Sequence, residues 1–202
     1  MLEKRLRKTY QKYCVDVVAK GLAGFMSPNQ LTLLAGILGI LVIPALYWGY
    51  AILAAFLLLL SGYCDTLDGT VARLTNRSDA FGSSFDIVMD RVVEASVIMA
   101  LFLVHPTNAL ECLSMLIAIL ICISSFLVVG IFTENSSEKS FFYSEGVMER
   151  AEAFIFFIAM MLLPHWFVPL AWLFVVLVLF TALLHLWRFK KYLELNTGET
   201  QC

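Results

Sequence analysis

Residues 65–90 read DTLDGTVARLTNRSDAFGSSFDIVMD, and this stretch decides the fold. Asp65, Asp68, Asp86 and Asp90 stand here with Gly69, Arg73 and Gly82, between long apolar runs. A carboxylate inside a bilayer costs about 2.5–3.5 kcal/mol on insertion scales. A chain that keeps four of them so close together is using them. On a helix Asp65 and Asp68 share a face, three residues apart. Asp86, Asp90 and Glu94 follow at intervals of four, which stacks them about 6 Å apart along one helix face. Two helices joined by a short polar loop and lying side by side would bring the two groups together. Four carboxylates and two divalent cations sum to near neutrality. Oxygen donors without a cysteine or histidine pair favour Mg²⁺, Mn²⁺ or Ca²⁺ over Zn²⁺.

Working outward, the 202 residues are 60% hydrophobic and 15% charged, with a mean hydropathy of +0.84. Soluble domains are about 45–50% apolar. The chain is therefore expected to be an integral membrane protein forming one compact bundle. A net charge of −2 gives no sign of a nucleic-acid partner. Cys14, Cys64, Cys112, Cys122 and Cys202 show no metal or redox spacing and read as small apolar filler. The first residues, MLEKRLRKTYQKY, stay basic for too long to be a signal peptide.

Residues 2–24 have apolar positions at near-helical spacing and Lys4, Arg5, Lys8 and Lys12 between them, which predicts a helix lying on an anionic membrane surface. Ser27-Pro28-Asn29 marks a helix start. Apolar runs then predict spans at 31–48, from 51 on toward 73, 80–104, 109–132, 144–164 and 166–187. A span needs about 20 residues, and only helices or closed barrels cross lipid. The expected fold is all-α: an N-terminal amphipathic juxtamembrane helix (1–26), a six-helix transmembrane catalytic domain (27–189) and a cytoplasmic tail (190–202). All 14 Lys and Arg fall in segments that six spans would put on one face. The positive-inside rule assigns that face, with both termini and the aspartates, to the cytoplasm of a multi-pass cell (inner) membrane.

Gly69 follows Asp68 directly, and Gly82 lies one turn before Asp86. A helical glycine costs about 1 kcal/mol against alanine; helix–helix packing or close approach of a ligand would each justify it. Arg73 suits either an interfacial position or a planar grip on phosphate oxygens. Arg91 points off the acidic stripe and is expected in an ion pair or a lipid contact.

The pattern Asp65-x2-Asp68-Gly69-x2-Ala72-Arg73-x8-Gly82-x3-Asp86-x3-Asp90 resembles the signature of the CDP-alcohol phosphotransferase family (CDP-alcohol phosphatidyltransferases), matched at every defining position. The resemblance implies a six-helix membrane enzyme, commonly a homodimer, that exchanges the CMP of a CDP-linked group for an alcohol. It implies that Asp65, Asp68, Asp86 and Asp90 hold two Mg²⁺ or Mn²⁺ ions over the donor diphosphate. Gly69, Ala72 and Gly82 would leave room for the cytidine nucleotide, Arg73 would bind phosphate, and Asp90 would be the general base. A free aspartate is a weak base near neutral pH, so Asp90 needs either a raised proton affinity or proton transfer late in the transition state.

Two substrate arrangements fit: CDP-diacylglycerol with a small polar acceptor, or a soluble CDP-choline or CDP-ethanolamine with diacylglycerol. The flanking Asp90-Arg91-x2-Glu94-Ala95, Ser27-Pro28-Asn29-x2-Thr32-x2-Ala35-Gly36 and Gly146-x2-Glu149-Arg150-Ala151-Glu152 are similar to the branch that makes phosphatidylinositol phosphate or its archaeal counterpart. In that branch Arg150, and Arg188 by location, would bind the acceptor's phosphate. Two cations usual there are missing: the run 124–130 has none, and Ala153 stands where a second arginine is expected. An unphosphorylated polyol, serine or a choline-like alcohol therefore stays open. The rival class is a divalent-cation transporter, whose acids usually sit near the midplane among broken helices or repeated halves; neither is visible here. His185 reads as a packed or interfacial residue, and His105 and His165 as turn residues.

Overall fold

The computed structural model describes residues 11–77, 79–134 and 147–199. Most of the basic face expected at 2–24, the polar loop with Lys139 and Tyr143, Gly146 and Cys202 lie outside the described residues. Within them all regular structure is helical. The chain divides into two compact units, Met1–Val104 and His105–Cys202.

In the first unit a π-helical turn, Gln11–Val15, leads into the short α1, Asp16–Leu22. Helix α2, Pro28–Tyr47, starts where the sequence predicts. Ser27 and Gln30 cap it reciprocally: Ser27 N–H donates to Gln30 Oε1 at 2.9 Å and Gln30 N–H to Ser27 Oγ at 3.4 Å. Gly49, at φ +84°, makes the tight exit that a side chain would strain. Helix α3, Ala51–Thr75, ends on Asn76, whose left-handed backbone (φ 52°) lets Arg77 N–H reach Ala72 O at 3.0 Å. Asp79 then starts α4, Ala80–Val104, by accepting from Gly82 N–H at 2.6 Å.

Helix α2 packs along both α3 and α4, which make little backbone approach to each other. The acid-bearing helices, expected side by side, are instead joined through α2. Small residues on α2 explain this. A Cβ on Gly36 would lie 2.8 Å from Met89 Sδ, and one on Gly39 2.6 Å from Val93 Cγ2, so glycine sets the α2–α4 distance. Ser61 Oγ donates to Ala35 O at 2.8 Å and ties α3 to α2. Val15 and Ala19 are buried with Leu31, Leu67 and Val71, seating α1 and the turn before it on α3.

In the second unit α5, Ala109–Glu134, packs on α7, Phe167–Glu199, and α6, Arg150–Leu162, packs on α7 as well. Phe157 and Phe174 meet at 5.4 Å between centroids, and Met148 N–H donates to Thr181 Oγ1 at 3.0 Å. Residues 190–199, expected as a tail, continue α7. No proline follows Arg188, the first glycine is Gly198, and a Lys190–Glu194 pair at 3.8 Å supports the helix.

Among the described residues four helices are long and apolar enough to cross a membrane: Pro28–Tyr47, Ala51–Thr75, Pro106–Thr133 and Pro164–Glu194. Their outward faces carry Ile52, Leu110 and Leu183, each well exposed, as lipid contact requires. The remaining two expected spans fall short of that length-and-composition criterion. Helix α4 carries Asp86, Asp90, Arg91 and Glu94, and the 13 residues of α6 extend only about 20 Å against about 30 Å of hydrocarbon.

Candidate functional site

Asp65 and Asp68 project from the last turns of α3 and Asp86 from the second turn of α4. Their ligand oxygens all lie within 4.8 Å of one another. Asp68 is buried and the other two are half-buried. Bare carboxylates at 4.8 Å repel by about 3.5 kcal/mol per pair at an effective dielectric of 20. An all-oxygen, triply anionic donor set is what a hard divalent cation takes, so these residues fit Mg²⁺ or Mn²⁺.

Thr32 completes this corner. Its hydroxyl lies 2.5 Å from Asp68 Oδ2 and 3.1 Å from Pro28 O. One hydroxyl proton serves both acceptors and fixes the Asp68 carboxylate against the first turn of α2. The sequence signal was present: Thr32 is the polar residue in an otherwise apolar span.

Asp90 stands outside the close trio. It is half-buried on α4, with Arg91 Nη2 at 3.8 Å from its Oδ2. Arg91 Nη1 makes the shorter contact, 2.6 Å, to Glu94 Oε2. The far end of the acidic stripe is thus neutralised within α4: Arg91 makes an ion pair, and it folds onto the stripe instead of pointing off it.

Gly69 has open space beside it: an added Cβ would meet only Arg73 Nη1, at 3.6 Å. Arg73 is exposed and lies back along α3, with Nη2 donating to Thr70 Oγ1 at 3.1 Å. Ala72 is half-buried beside it. Gly82 has the opposite setting. A Cβ there would lie 2.8 Å from Asp79 Oδ1 and 3.1 Å from Asn29 Oδ1. Asp79 and Asn29, with Ser27, Pro28, Asn76 and Arg77, line a polar recess of about 320 Å³. Asn29 belongs to the Ser27-Pro28-Asn29 pattern visible in the sequence, whereas Asp79 has the local signature of an ordinary helix-start residue.

The two acceptor candidates belong to the second unit. Arg150 opens α6, half-buried, with its guanidinium 5.4 Å from the Phe154 ring centroid. Glu149 N–H donates to Glu152 Oε2 at 3.2 Å, which gives those acids a helix-start role. Arg188 is half-buried on α7, one turn after His185. His185 is packed, as expected: buried, with Nδ1 3.3 Å from Ser125 Oγ and its ring 5.9 Å from Phe126.

The chain is 32% identical to an Escherichia coli protein described as inner membrane protein YnjF, over the full length of both. It is 32% identical to phosphatidylinositol phosphate synthase of Corynebacterium glutamicum over 64% of this chain and 60% of that one. The fold resembles the crystal structure of Mycobacterium tuberculosis phosphatidylinositol phosphate synthase (PgsA1) with CDP-DAG bound, at 21% identity and a TM-score of 0.66, covering 87% of this chain and 93% of that one. The family model for CDP-alcohol phosphatidyltransferase matches residues 25–190. Helices that suit a bilayer, an oxygen-lined acidic centre and that match together make this chain a membrane transferase of the CDP-alcohol phosphatidyltransferase family.

Proposed function

We propose that the protein transfers the phosphatidyl group of CDP-diacylglycerol to a small polar alcohol of the inositol phosphate type and releases CMP. The convergence of the Asp65, Asp68 and Asp86 oxygens within 4.8 Å carries the reading. These residues with Asp90 would hold two divalent cations, Mg²⁺ or Mn²⁺, which when bound supply charge neutralisation for a diphosphate and its leaving CMP. Arg73 grips phosphate oxygens across the open face of Gly69 and Ala72. The recess beside Gly82 has the size and the amide and carboxylate lining to take a nucleoside. The acceptor hydroxyl oxygen attacks the phosphorus that carries diacylglycerol. The bond from that phosphorus to the CMP oxygen breaks, CMP leaves with the electron pair, and the hydroxyl proton passes to Asp90.

The phosphorylated acceptor rests on the names of the relatives and on Arg150 and Arg188 as its contacts. Six spans, with α4 and α6 shielded by their neighbours, belong to the same proposal, as do the N-terminal surface helix, a homodimer and the inner membrane. Clustering of Lys and Arg supports a cytoplasmic position for both termini and the acids.

The test gives purified protein CDP-diacylglycerol, Mg²⁺ or Mn²⁺, and inositol 1-phosphate, inositol, glycerol 3-phosphate, serine or choline in turn, with CDP-choline plus diacylglycerol as the contrasting arm. CMP release with CDP-diacylglycerol and inositol 1-phosphate is expected, and Asp90→Asn abolishes it in a folded protein. Release only from CDP-choline, or from no donor at all, overturns the proposal.

A further inference from the structure

The π-helical turn at the N-terminal edge of the described chain touches the helix that bears the first acids. Gln11 Nε2 donates to Asp16 Oδ1 at 2.9 Å and to Thr70 Oγ1 at 3.0 Å. Residues five apart share a face in a π-turn and not in an α-helix, so this turn is what lets Asp16 hold the Gln11 amide. The carboxylate accepts only, which fixes the amide with its NH₂ toward Thr70.

Thr70 has no spare capacity. Its hydroxyl donates to Thr66 O at 2.9 Å and accepts from Gln11 Nε2 and Arg73 Nη2. One donor and two lone pairs are all in use. Thr70 is itself buried, and Tyr63 OH, donating to Cys14 O at 2.7 Å, holds the turn against α3 from the other side. The Arg73 guanidinium is thereby held beside Gly69, whose added Cβ would lie 3.6 Å from Nη1.

We propose that Gln11, oriented by Asp16, is a positioning residue for Arg73, acting through the Thr70 hydroxyl. The segment before α1 thereby sets how firmly the site grips a diphosphate. This rests on the reading of Arg73 as a phosphate contact. Freed from Thr70, an exposed arginine samples many rotamers and must be ordered again each time a diphosphate binds.

The experiment measures KM for CDP-diacylglycerol in mixed micelles and, independently of turnover, calorimetric binding of CDP in the presence of Mn²⁺. Gln11→Leu and Thr70→Val are each expected to raise KM and the Kd for CDP by roughly three- to tenfold with kcat within about twofold. Thr70→Ser, which restores the hydroxyl, returns both to the wild-type range. In an Arg73→Ala background Gln11→Leu adds less than about 1.5-fold, because the group it positions is gone. An equal factor in both backgrounds, or a silent Thr70→Val, overturns the inference while leaving the enzyme reading intact. A wild-type protein that binds no CDP and releases no CMP overturns both. Thermal melts of each variant, unchanged within a few degrees, separate loss of positioning from loss of fold.

Discussion

Asp68→Asn separates the electrostatic cost of the acidic centre from its use. Asparagine keeps an acceptor for the Thr32 hydroxyl, so the 2.5 Å contact has a successor and only the charge is lost. Three carboxylates within 4.8 Å make three repulsive pairs of about 3.5 kcal/mol each at a dielectric of 20. The substitution removes two of the pairs. Asp65 and Asp86 are half-exposed, so solvent screening leaves a net gain of about 2 kcal/mol. At about 2–4 °C per kcal/mol for a chain of this size, Asp68→Asn melts about 4–8 °C above wild type in EDTA. Metal acts in the opposite sense. A cation at 100 times its Kd stabilises by about 2.7 kcal/mol, which raises the wild-type Tm by about 5–11 °C. Asp68→Asn loses that response. The assay is thermal unfolding in detergent micelles with EDTA or with graded Mn²⁺. A variant that melts below wild type in EDTA, or a wild-type Tm unmoved by Mn²⁺, would refute the argument that these acids repel until a cation joins them.

Three further outcomes follow from the packing. Gly39→Ala forces a Cβ to 2.6 Å from Val93 Cγ2 and lowers stability by about 1–2 kcal/mol; Val93→Ala in the same chain recovers most of it, while Gly21→Ala, with nothing within 4 Å, does not destabilise. Gly82→Ala presses on Asp79 Oδ1 and Asn29 Oδ1 and raises KM for the CDP donor about tenfold, or about 1.4 kcal/mol, with a smaller change in Tm; an unchanged KM would disconnect the recess from the nucleotide. Arg150→Ala reduces kcat/KM more for inositol 1-phosphate than for inositol, and equal losses would remove Arg150 as the phosphate contact.

Much of the site was legible because its spacing is local. Intervals of three and four residues place Asp65 with Asp68 and Asp86 with Asp90 on shared helix faces before any tertiary structure exists. Ser27-Pro28 and the polar segment after Thr75 likewise announce helix ends through caps that depend on near neighbours. Asp90 shows where such reasoning stops. Periodicity puts it in line with Asp86, but ligand distance depends on how α4 is rotated against α3, and the close trio forms without it. Helix α7 runs on past Arg188 because a change from apolar to charged residues alters what a helix faces without interrupting its backbone hydrogen bonds.

The sequence by itself determined a helical membrane chain, the pairs of acids that share a helix face, and the family signature, since these follow from composition, from the 3.6-residue repeat and from fixed spacing. Only the tertiary structure decided that α2 joins the two acid-bearing helices, that Thr32 reaches Asp68 across 36 residues, and that Gln11 reaches Thr70 across 59. Those contacts depend on the depth and rotation at which helices seat. Gly36 and Gly39 set the seating of α2 on α4 against Met89 and Val93, and no periodicity within a single helix encodes such seating.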